Sequence, residues 1–104
     1  MRREVETQAT YISTVSYWEV VLKSMKGKLA VGDPRSWWRT ALADLSATAL
    51  GLTPGHVAEI CTLPPIHADP FDRALVAQAV AENLTLATTD SHIKLYASDR
   101  LRIV

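Results

Sequence analysis

Glu19, Asp72 and Asp90 stand on separate segments of the chain, and each sits where a carboxylate can leave the core and reach a shared edge. The strongest local signal is Leu63-Pro64-Pro65-Ile66-His67-Ala68-Asp69-Pro70-Phe71-Asp72-Arg73-Ala74-Leu75-Val76-Ala77-Gln78-Ala79. A proline-rich loop there delivers Asp69 and Asp72 to the start of an otherwise almost wholly apolar helix. Acids are out of place at the start of a buried helix unless something cationic meets them. Carboxylates gathered at one place repel, and their pKa values rise unless a cation holds them together. Hard oxygen ligands with no nearby His or Cys favour Mg²⁺ or Mn²⁺ over zinc. Such an ion activates a water and stabilises charge on a phosphodiester during in-line hydrolysis.

The elements that must carry these acids follow from periodicity and punctuation. Residues 2 to about 8 read as the tail of a helix, and 10–13 as a short β-branched and aromatic strand. Val15, Trp18, Leu22 and Met25 recur at helical spacing, with Gly27 as the stop. Asp33-Pro34 is a cap followed by a proline at the first helical position, opening a helix to about residue 46. Residues 48–52 form a second strand. Thr53-Pro54 repeats the cap-and-proline signal for a helix to about residue 61. A helix from Phe71 runs to about residue 82, where Asn83 can end it. Residues 84–88 form the third strand, 91–96 a short helix and 101–104 the fourth strand. Strands separated by helices predict a three-layer α/β/α domain with a short parallel sheet, one domain over residues 1–104.

On that frame Glu19 falls in the first turn of the helix after strand one, with Val15 and Leu22 on the same side. Asp72 has Leu75, Val76 and Ala79 at similar spacing, and Asp90 follows the 84–88 strand at its carboxyl end. In open parallel sheets, sites form beyond the carboxyl ends of the strands. Each acid also has a plainer role open to it. Ser16-Tyr17-Trp18-Glu19 fits a capping box. Asp69 and Asp72 fit first-turn acids that complement the helix dipole. Asp90-Ser91 fits a cap for the following helix.

Composition narrows the classes. The chain has 104 residues, with 11 basic and 11 acidic side chains, so nucleic-acid affinity must come from a local patch rather than from net charge. Cys61 is the single cysteine, which excludes an internal disulfide and a cysteine zinc site and points to a reducing, cytoplasmic setting. No apolar run reaches membrane length, and the first residues are too polar for a signal peptide.

Tyr11-Ile12-Ser13-Thr14-Val15-Ser16-Tyr17-Trp18-Glu19-Val20-Val21-Leu22-Lys23 resembles the strand-then-helix segment that carries the second acid of PIN-domain ribonucleases of the VapC toxin type. Asp69-Pro70-Phe71-Asp72-Arg73-Ala74-Leu75-Val76-Ala77-Gln78-Ala79 is similar to the segment carrying the third acid, matched to Asp72. Leu84-Thr85-Leu86-Ala87-Thr88-Thr89-Asp90 resembles the strand that presents the fourth acid, Asp90, with Thr88 as the matching hydroxyl. Order and spacing agree over essentially the whole chain. The resemblance implies a Mg²⁺- or Mn²⁺-dependent endoribonuclease that uses Glu19, Asp72 and Asp90 as metal ligands. It also implies a homodimer and neutralisation by a VapB-type antitoxin.

The family begins with an apolar strand ending in an Asp, the first metal ligand. Here Met1 falls in what reads as the tail of the next helix, so that central strand and its acid are expected to be missing. The start lies upstream, or the chain is a degenerate relic, or a second copy completes the sheet; the first is favoured. The functional alternative is therefore an inactive PIN-like module that binds an antitoxin or a mate. A receiver domain would need an aspartate at the end of the 48–52 strand, and a haloacid-dehalogenase phosphatase a DxD loop. Neither is present.

Other residues have narrower readings. Lys23, Lys26 and Lys28 either meet RNA phosphates or form a solvated helix face. Arg73 either holds a phosphate or orients a carboxylate, against a surface ion pair. His67 reads as a structural hydrogen-bonding group. Trp37 and Trp38 are adjacent and cannot both face one core, so one of them is expected at an interface, with Val20, Val21 and Leu22 extending an apolar surface to the same partner.

Overall fold

The computed structural model describes residues 9–65, 69–87, 95–98 and 101–104. Packing divides the chain into two units, one within residues 1–51 and one within 52–104.

The first unit opens with strand β1, Tyr11–Ser13, which runs directly into helix α1, Thr14–Met25. The Ser13 side chain makes that junction, its Oγ accepting the Val15 N–H at 3.0 Å. Helix α2, Pro34–Asp44, starts as the Asp33-Pro34 pair predicts, with Asp33 accepting the Arg35 N–H. Strand β2, Thr48–Leu50, then returns parallel to β1, with Tyr11 opposite Thr48, Ile12 opposite Ala49 and Ser13 opposite Leu50. Between the helices the Tyr17 and Trp38 rings stack, centroids 4.6 Å apart and planes 4° from parallel. Trp37 lies tilted beside Trp38, and both indoles are half-buried. Trp38 thus packs inside the unit.

In the second unit, helix α3, Pro54–Glu59, continues into a 3₁₀ turn, Ile60–Thr62. Helix α4, Pro70–Ala81, forms the centre of the core. Val76 and Ala79 join Tyr96 and Leu101 in a buried cluster, flanked by Leu63, Val80, Leu84, Leu86 and Ile103. Full burial of side chains such as Val76 and Leu101 stabilises the unit by about 1.5–3 kcal/mol each.

The three longer helices end alike. Gly27, Ser46 and Asn83 each follow the cap residue with positive φ, at 72°, 49° and 56°. In each case the next amide reaches back five residues: Lys28 to Lys23, Ala47 to Leu42, and Leu84 to Ala79. This is the Schellman closure, which satisfies carbonyls a helix end otherwise leaves open.

The fold is α/β with parallel strand pairing, as predicted. Regular strand structure is shorter than the 84–88 and 101–104 alternations suggested. Among the described residues, the pairing there reduces to a parallel bridge between Leu86 and Ile103, plus an antiparallel Ser98–Leu101 bridge. Hydrogen bonds flank Leu86 alone, from its N–H to the Arg102 carbonyl and to its carbonyl from the Val104 N–H. Leu95 and Tyr96 lie in a turn, and the remainder of the expected 91–96 helix lies outside the described residues, as does the expected helix tail before residue 9. Among the described residues, no helix is long and apolar enough to cross a membrane.

Candidate functional site

The entry to α4 is built in layers. Pro70 occupies the first helical position, where its missing N–H costs nothing. Asp69 is the N-cap, its Oδ1 accepting the Phe71 N–H at 2.8 Å and the Asp72 N–H at 3.1 Å. This acid is therefore the N-cap itself, one step outside the first-turn place that the dipole reading gave it, and Asp72 is the acid of the first turn. Asp72, three residues further, is different. Its residue is only 7% exposed, on the same inward side as the buried Val76 and Ala79. A carboxylate buried to that degree needs donors or cations around it, and the positive end of α4 supplies part of that field.

Arg73 faces protein rather than open solvent. Its Nη1 donates to the Pro64 carbonyl at 3.1 Å and to the Tyr96 hydroxyl at 3.3 Å, and its Nη2 donates to the Ile60 carbonyl at 3.3 Å. The guanidinium thus ties the first turn of α4 to the loop before it and to the Tyr96 segment.

Glu19 belongs to the other unit, and its local role differs from the capping box that Ser16–Glu19 suggested. Helix α1 starts three residues earlier than that box requires, because Ser13 at the end of β1 is already a competent cap. Glu19 consequently lies beyond the first turn. It is half-buried and forms an ion pair with Lys23 one turn later, Oε2 to Nζ at 3.4 Å. Lys26 and Lys28 are exposed at the helix exit. Asp90, Thr88 and His67 lie outside the described residues.

Sequence reading passed over a fully buried polar pair, His56 and Gln78. His56 is 1% exposed on α3. Its Nδ1 accepts the Thr53 N–H at 3.1 Å, while its own N–H bonds to the Thr53 hydroxyl at 3.2 Å. Nε2 meets Glu82 at the end of α4, and Gln78, also 1% exposed, approaches Nδ1 at 3.5 Å. The signal available was Thr53-Pro54-Gly55-His56, a capping box with His in the place of the usual Glu or Gln.

Among the described residues, no group of three or more His, Cys, Asp or Glu side chains gathers to hold a metal ion. The donors that sequence reading assigned to such an ion are all carboxylate oxygens, which suit a hard divalent cation in kind. Of these, Asp72 is the buried one in the described set, on an element held rigidly by its cap and its core stripe.

No curated protein matches the chain in sequence. A family model does: that of the PIN domain, over residues 2–98, nearly the full length, and the chain belongs to the PIN-domain family.

Proposed function

We propose that this PIN-domain chain is a single-domain, divalent-metal-dependent endoribonuclease of the VapC toxin type, with Glu19, Asp72 and Asp90 as ligands to Mg²⁺ or Mn²⁺. PIN domains are generally nuclease-like and metal-dependent, and the family match over residues 2–98 supports that class. The observation that carries the reading is Asp72, a carboxylate 7% exposed at the head of an apolar helix. A buried carboxylate is held in place by donors or cations around it, and one fixed at the positive end of a rigid helix is suited to serve as an oxygen ligand to a divalent ion.

When bound, the ion would supply a water activated for attack and neutralise charge on the phosphodiester. The chain's own groups do the rest. Asp69 fixes the first turn of α4 by capping it, so Asp72 is presented from a rigid element rather than from a loop. Glu19 is oriented by Lys23 along α1. Lys26 and Lys28, exposed beyond the end of that helix, are placed to attract RNA phosphates. Thr88 contributes a hydroxyl near Asp90 in the same reading.

The test is Mn²⁺ binding followed by electron paramagnetic resonance, with RNA cleavage measured on the same preparations. Asp72→Asn should lose Mn²⁺ binding and cleavage while keeping its circular dichroism spectrum. Cleavage at the wild-type rate by this variant would remove Asp72 from the site.

A second reading has its own support. Among the described residues of the first unit, Val15 is the buried hydrophobic one, while Trp18, Met25 and Leu45 there are exposed. Such a surface suits a protein partner, either a VapB-type antitoxin or a second copy in a homodimer. Stoichiometric partner binding without Mn²⁺ binding would favour this non-catalytic role.

A further inference from the structure

We propose that Arg73 is a positioning residue that braces the acidic end of α4, rather than a phosphate ligand. This rests on the metal-site reading of Asp72. The Arg73 guanidinium joins two backbone carbonyls of the stretch before α4, Ile60 in the 3₁₀ turn and Pro64 in the proline loop, to the side-chain hydroxyl of Tyr96. The first two belong to the stretch that leads into Asp69 and Asp72. One side chain therefore ties the first turn of α4, which bears Asp72, to the loop before it and to the Tyr96 turn.

The chemistry of the contacts favours bracing over substrate binding. Guanidinium presents N–H donors in a fixed planar fork and accepts nothing, which matches a ring of carbonyl and hydroxyl oxygens. Ile60 opens a 3₁₀ turn whose carbonyls lack full helical partners, and its oxygen already receives the Leu63 N–H. Ile60 is also the C-cap of α3, so a cation placed there offsets the negative end of that helix. The far end of the brace is equally firm, because Tyr96 is 4% exposed and its ring packs with Val76, Ala79 and Leu101. Asp72 is bonded to this residue through the backbone, so contacts that hold the Arg73 side chain restrain the helix turn that carries the ligand. Lysine keeps the charge but cannot span the same acceptors at fixed points.

The experiment compares wild type, Arg73→Lys and Tyr96→Phe by Mn²⁺ titration, RNA cleavage kinetics and amide hydrogen exchange. Arg73→Lys should fold, weaken Mn²⁺ binding by about tenfold, lower kcat with little change in KM for RNA, and speed exchange at Leu63 and Ser98. Tyr96→Phe, which removes one acceptor, should show the same pattern to a lesser degree. A raised KM with Mn²⁺ affinity unchanged would overturn the proposal in favour of phosphate binding. Slower folding or lower stability with wild-type Mn²⁺ affinity would overturn it in favour of a purely structural role. Failure of the wild type itself to bind Mn²⁺ would instead overturn the metal-site reading, and positioning with it.

Discussion

His56 Nε2 lies 2.7 Å from the Glu82 carboxylate, so a ring buried at the start of α3 bonds directly to the last turn of α4. The other ring nitrogen accepts the Thr53 N–H, which leaves the proton on Nε2 to be donated to Glu82. A helix of six residues cannot hold itself together in water. This ring supplies what the helix lacks, closing its first turn and fastening it to the long helix beside it.

Replacing His56 by Ala should therefore destabilise the protein by about 2–4 kcal/mol, from the lost packing together with the lost bonds to the Thr53 N–H and to Glu82. His56→Gln should recover roughly 1 kcal/mol of that loss, since Gln at this position completes a capping box in the ordinary way. Urea unfolding of the two variants measures both quantities. Equal midpoints for them would show that the cap contributes nothing beyond side-chain volume.

How far the sequence disclosed this arrangement depends on the range of each interaction. Cap and proline pairs are local: those at Asp33-Pro34 and Thr53-Pro54 open helices where the pair predicts, while the same pair at Asp69-Pro70 starts α4 one residue before the expected Phe71. The apolar stripe of Val76 and Ala79 is local too, and it packs inward. The Ser16–Glu19 pattern misled because two overlapping caps compete, and Ser13, placed at the end of a paired strand, takes the helix start. The Arg73 brace and the His56–Glu82 bond were not legible, since they join residues far apart in sequence and no spacing rule encodes them. The strand at Leu86 was overestimated for the converse reason: alternation marks a segment fit for a sheet, while the extent of pairing depends on its neighbours.

Asp33 gives a pH-dependent prediction with a definite sign. The Arg35 side chain bonds both carboxylate oxygens at 3.0 Å, and that bond, with the Arg35 backbone N–H, holds the Asp33 pKa below its ordinary 3.8. The folded value is below the unfolded one, so the stabilisation is present above about pH 4 and is lost as pH falls through the folded value. Asp33→Asn keeps a capping oxygen but does not titrate. Wild type should exceed this variant in stability at pH 6, and the gap should close as pH falls through the lowered folded value. Because the pair is exposed, the gap should also shrink in high salt. A difference independent of pH would place the effect in the cap geometry alone.

Ser46 offers a stabilising substitution. It occupies the left-handed position after α2 with φ of 49°, a conformation that costs an L residue steric energy and costs glycine almost none. The closure around it is complete, with the Ser46 N–H bonded to the Ala43 carbonyl and the Ala47 N–H to that of Leu42. Ser46→Gly keeps both bonds and should stabilise by about 0.5–1 kcal/mol, net of the greater backbone freedom glycine brings to the unfolded chain. Gly27 is the mirror experiment. Its φ is 72°, yet a Cβ placed there meets no atom within 4 Å, so Gly27→Ala adds backbone strain without a clash. That variant should lose about 1 kcal/mol. Thermal unfolding of both proteins separates the terms, for opposite shifts of similar size mean that backbone conformation governs these helix ends, whereas a loss in Ser46→Gly would mean that the serine hydroxyl makes a contribution larger than the strain it imposes.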